Sequence, residues 1–139
     1  MAGALHENKW ITPYGDSWGA SMIGQAGGDY IWADTKGTGS LSLSFESVLD
    51  KAGDADIWIG PAQFTSLAEM INTNPDYGAF RSFKQKNIYS FSVKKGATGG
   101  VLYYELGPNR PDLILKDLVK ILHPELLSGY KLTFFEKLK

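Results

Sequence analysis

The chain has 139 residues, a formal net charge of -1, 43% hydrophobic residues and no cysteine. That length suits one compact core rather than two. The balanced charge excludes the basic surface that non-specific nucleic-acid binding needs, so no nucleic-acid partner is expected. The lack of cysteine removes disulfides, thiolate metal sites and cysteine nucleophiles, and fits either redox compartment.

The opening stretch, "MAGALHENKW", has neither the basic segment nor the apolar run of a secretion signal, and no later stretch approaches the ~20 apolar residues of a membrane span. Residues 1–9 are expected to form a frayed tail that includes residues added at the N-terminus, with a single lobe over residues 10–139. Asp16 or Ser17 caps a helix carrying Trp18, Met22, Ile23 and Ala26, and Gly27-Gly28 stops it ahead of a strand in "DYIWA". After the serine-spaced run "GSLSLS", Ser44 caps a second helix in which Phe45, Val48, Leu49 and Ala52 mark one face. Gly53 ends it, Asp54 to Asp56 turn the chain, and "IWIG" reads as a strand buried on both faces. Leu67, Met70 and Ile71 predict a third helix, and Asn74-Pro75 opens another short one through Tyr77, Phe80 and Phe83. The alternation in "NIYSFSV" predicts a strand, whereas "VLYYE" does not read as the start of a helix. Pro111 opens the strongest helix, from Asp112 to about His123, which Pro124 ends. "YKLTFFEKL" is a last strand or a docked tail.

Helices alternating with strands predict an α/β three-layer sandwich, a largely parallel sheet flanked by helices on both faces. In such sheets ligands sit beyond the strand carboxyl ends. Trp10, Tyr14, Trp18, Phe64 and Tyr103 fall on that edge and are the candidate ligand-binding residues.

Two motifs compete with a binding role. "GDSWG" fits the nucleophile-elbow pattern with Ser17 at its centre. A triad needs a histidine at the same end of the sheet, yet His6 lies in the expected tail and His123 ends its helix near the opposite rim. Helix capping by Ser17 is therefore the preferred reading, with a small α/β hydrolase as the alternative. The glycine loop "GATGG" lacks a following Lys-Ser/Thr pair and reads as a flexible loop rather than a phosphate cradle. Asp50, Asp54 and Asp56 read as solvated surface, so no metal and no cofactor is expected.

The segments "DSWGASMIGQAGGDYIW", "SLSFESVLDKAGDADIWIG", "FKQKNIYSF" and "RPDLILKDLVKILHPELL", in that order, resemble the C-terminal lobe of class III periplasmic substrate-binding proteins over roughly residues 10 to 127. Proteins of that class serve ABC importers of iron-siderophores, haem and cobalamin. The resemblance implies a non-enzymatic lobe that captures a metal chelate or tetrapyrrole in a cleft shared with an N-terminal lobe, which this chain lacks. It also implies that Glu46, on the exposed top of the lobe, pairs with arginines of the membrane permease. The parent protein is then expected in the periplasm or lipid-anchored at the cell surface, this chain being an excised or truncated lobe. Its bare inter-lobe face would promote self-association. A free-standing interaction domain without a small ligand is the remaining alternative.

Overall fold

The computed structural model describes all 139 residues, Met1–Lys139. Three of its helices start where a serine can satisfy an orphan backbone donor. Ser17, Ser44 and Ser66 accept from the N–H groups of Ala20, Ser47 and Glu69, opening α1 (Trp18–Gln25), α2 (Phe45–Ala52) and α3 (Leu67–Thr73). In α2, Val48 and Ala52 are buried and Phe45 and Leu49 pack beside them, the stripe that the spacing predicts. Beyond α1, Gly27 takes a φ of +87°, and the His123 ring fills the space where a Cβ would lie, 2.7 Å from Nε2. Only glycine suits that position.

A 3-10 turn at Pro75–Ala79 leads into α4 (Arg81–Lys84). Against the sequence expectation, α5 (Leu102–Leu106) follows the glycine loop. It is a single turn without a side-chain cap, held by the N–H groups of Tyr104 and Glu105 on the Val101 carbonyl. So short a helix leaves no periodic signature to read. The last helix, α6 (Pro111–Leu122), begins at proline and stops before Pro124 as expected.

The strands form two small sheets. In the first, β1 (Ala4–His6), β2 (Lys9–Pro13) and β3 (Ser40–Leu43) pair antiparallel in that order. In the second, β4 (Trp58–Ile59) and β5 (Ile88–Ser90) are parallel, and β6 (Glu136–Lys137) returns antiparallel to β5. One parallel bridge, Ala2 to Ile59, joins the two. The mixed α/β character is as predicted, but regular pairing is mostly antiparallel and divided between two sheets.

Two sequence expectations fail for identifiable reasons. "DYIWA" is a series of turns in which Ala33 and Thr35 donate back to Tyr30 and Trp32. Tyr30 and Trp32 are both buried, so alternation is present without a ladder, and the Tyr30 hydroxyl binds Thr12 and the Pro13 carbonyl instead. Residues 1–9 are no tail: Met1, Ala2 and Ala4 are buried and β1 is paired. Trp10 and Trp58 donate their indole N–H groups to the Ala2 and Gly3 carbonyls at 3.0 and 2.8 Å, and small residues let the backbone approach those rings.

Trp10, Trp58, Tyr77 and Phe80 form the centre of the core, with ring centroids 5.3 to 6.2 Å apart. At the other end of the chain, fully buried Asp117 of α6 accepts from the Tyr130 hydroxyl and from the backbone N–H groups of Thr133, Phe134 and Phe135. Hydrogen bonds to a charged group contribute about 1.5–3 kcal/mol, and leaving buried donors without an acceptor costs a similar amount. Asp117→Asn, which turns a donor toward those N–H groups, should lower unfolding free energy by about 2–4 kcal/mol in urea titrations. A loss below ~1 kcal/mol would show that the tail is held by its phenylalanines alone.

Candidate functional site

A groove of about 810 Å³ opens where the two sheets meet. β1 and β2 supply Leu5 and Ile11, and α1 supplies Trp18 and Met22. The facing wall is aromatic. Phe91 and Tyr103 stack with centroids 4.4 Å apart and 22° between planes, while Tyr104 and Phe135 meet Phe91 edge-on. A smaller cleft of about 320 Å³ shares Trp18, Tyr103 and Tyr104 and reaches Pro108 and Pro111. No aspartate, glutamate, lysine or arginine lines either space. The polar side chains of the groove lining are Thr12, Ser17, Ser40, Gln63, His6 and the two tyrosines. Burial, reinforced by the neighbouring Tyr104 phenol, raises the pKa of Tyr103 above the ordinary tyrosine value.

Of the five aromatic residues singled out from sequence, Trp18 and Tyr103 line the groove. Trp10 is fully buried in the core, and Phe64 is buried with its ring edge-on to Tyr77, so neither reaches it. Tyr14 packs on Gly37 at the surface turn after β2. Sequence reasoning missed Phe91 and Phe135 as wall residues. Tyr104 carries the same signal as Tyr103, an aromatic just after a glycine loop, whereas Phe135 depends on a long-range hold by Asp117 that no local pattern announces. Glu46 is exposed in the first turn of α2, away from the buried stripe.

Ser17 lines the groove, but its Oγ accepts the Ala20 N–H at 3.3 Å as a helix cap. His6, on β1, borders the same groove with no hydrogen bond to Ser17, and His123 sits at the far end of α1 against the Gly27 carbonyl. The glycine loop wraps a carboxylate of the chain itself. Thr98 donates to Glu105 Oε1 at 3.2 Å, and a Cβ at Gly100 would lie 2.1 Å from that oxygen. Asp56 makes a surface pair with Arg81 at 3.5 Å, and Arg110 pairs with Asp112 at the start of α6 instead of entering the groove.

No family model matches the chain, and no solved structure matches it. It is similar to an uncharacterized lipoprotein of Methanocaldococcus jannaschii, with 36% identity over 110 residues that cover 79% of this chain and 25% of that protein. The chain thus spans about a quarter of the length of the curated relative it matches.

Two measurements follow from this geometry. Ser17→Ala removes the cap of α1 and should cost about 1 kcal/mol in urea unfolding; no change would mean that the hydroxyl is not spent on the helix. Burial pushes Tyr30 up to about 12 from an ordinary value of 10.0. A group held protonated by the fold adds stability that is complete below pH 10 and is lost as pH rises through 12. Urea unfolding across that window should therefore show falling stability, and Tyr30→Phe should flatten the slope. An unchanged slope would assign the loss to other groups.

Proposed function

We propose that this chain is the ligand-capturing C-terminal lobe of a class III substrate-binding protein of an ABC importer, taking a metal chelate or tetrapyrrole. The observation that carries the reading is the aromatic groove, which presents Trp18, Tyr103 and Tyr104 on one open side and would enclose a ligand only with a second lobe. Strand direction supports kinship with that lobe type: the Ala2–Ile59 bridge and the β4–β5 pair run the segment at Ala2, β4 and β5 in one direction, with helices in the connections. The greater length of the lipoprotein relative leaves room for an N-terminal lobe, and its description fits a lipid-anchored parent at the cell surface.

Glu46 suits the docking role. Gly39 and Ser40 line the groove, and β3 then carries the chain roughly 13 Å along its length before Ser44 opens α2. The carboxylate thus lies beyond the groove, on a helix whose positive end favours it and where a permease cation can reach it. In cells expressing the complete gene product, Glu46→Arg should cut import of the bound chelate at least about tenfold, with ligand affinity of the purified protein unchanged. Wild-type import by the variant would remove Glu46 from docking. Tryptophan quenching with haem, cobalamin and ferric siderophores should be saturable for the complete gene product and weaker for this chain. Silence in both would overturn the importer reading.

A further inference from the structure

Resting on that reading, we propose that the ligand presents to this lobe a flat, conjugated and uncharged face, laid on Trp18 and Tyr104 beside the Phe91–Tyr103 stack. A tetrapyrrole-like ring fits this description, and a polyanionic iron chelate does not.

Charge selects against an anionic chelate. A catecholate chelate of iron(III) carries several negative charges, and moving them into an apolar cleft strips their hydration. That loss is made good only by paired cations or clustered donors. The groove offers no lysine and no arginine, and Arg110, the cation at the start of α6, is already bound to Asp112 by two contacts of 3.1 and 3.0 Å. In the glycine loop the Gly96 and Gly99 N–H groups bind the Gly100 and Gly96 carbonyls, and the Glu105 carboxylate lies against Gly96 and Gly100. Apart from the His6 imidazole at its border, the surface facing the ligand is therefore apolar or neutral.

The rings that stay uncovered mark where the ligand lies. Trp10, Trp32 and Trp58 are buried, whereas Trp18 is 50% exposed and Tyr104 is 65% exposed. Both line the groove and its side cleft. Exposed aromatic area gathered at one cleft is the surface that a flat apolar partner covers with most gain, by burial and by ring stacking. Neutral polar groups, Ser40 and Gln63, stand at the same lining to meet substituents of the ring.

Size agrees. A cleft of about 810 Å³ lies in the upper part of the range for organic ligands, enough for one face of a macrocycle.

The test uses two porphyrins of the same core, one carrying neutral glycol substituents and one carrying sulfonates, with a ferric tricatecholate as third probe. Because Trp18 is the exposed tryptophan, iodide quenching of emission reads its environment. The neutral porphyrin should protect Trp18 saturably and shift its own Soret band, and the sulfonated porphyrin and the catecholate should bind at least about tenfold more weakly. By the Soret shift, Trp18→Ala and Tyr104→Ala should each weaken neutral binding about tenfold with melting temperature unchanged. Equal or tighter binding of either anion would overturn the inference, as would wild-type affinity in both variants, and each of these results leaves the importer reading standing. Failure of all three probes against this chain and the complete gene product would overturn both.

Discussion

One buried carboxylate sets the shape of the C-terminal third. Asp117 would be costly to bury alone, so the chain must bring donors to it, and it does so with three successive backbone N–H groups and a phenol. This concave run of amides around an anion fixes the path of residues 130–135 against α6. Phe134 and Phe135 are then forced inward, where Phe135 lies 5.9 Å from Tyr103 and 6.0 Å from Phe91. The aromatic wall of a groove lined by no aspartate, glutamate, lysine or arginine is thus positioned by a buried carboxylate behind it.

The opposite side of the groove depends on close backbone approach. Trp10 and Trp58 hold Ala2 and Gly3 by their carbonyls, and a Cβ on Gly3, whose φ is +92°, would lie 2.1 Å from the Ile11 carbonyl oxygen. Small residues there let one segment serve both sheets, bridging to β4 with Ala2 and pairing with β2 from Ala4 onward. One short segment thus serves core and groove, Met1, Ala2 and Ala4 being buried while Ala2 through His6 line the groove.

Apart from the single turn of α5, the helices were legible because they have local causes: a serine cap, a 3.6-residue stripe, a glycine or proline stop. Ser44 with Val48 and Ala52, and Pro111 with Ile114 and Leu118, behave as their spacing dictates. The strands were less legible because the determinants lie far away in sequence. Residues 1–6 look like a tail until Trp10 and Trp58 are placed over them, and "DYIWA" alternates for reasons of side-chain burial rather than pairing. For the site, aromatic identity narrowed the choice, and Trp18 and Tyr103 do line the groove. It could not separate them from Trp10 and Phe64, since the same rings serve equally well as core; only three-dimensional placement tells which faces stay uncovered.

The bridge and the two ladders put Ala2, Ile59, Tyr89 and Lys137 in one row across four neighbouring strands. The first and last segments run in opposite directions in that row, so residues 1 and 139 leave the sheet at the same edge. The molecule is mechanically asymmetric as a result. Tension applied through both ends would open the row from that edge, loading its hydrogen bonds one after another in the manner of a zipper. Force directed along the strands would instead load those hydrogen bonds together.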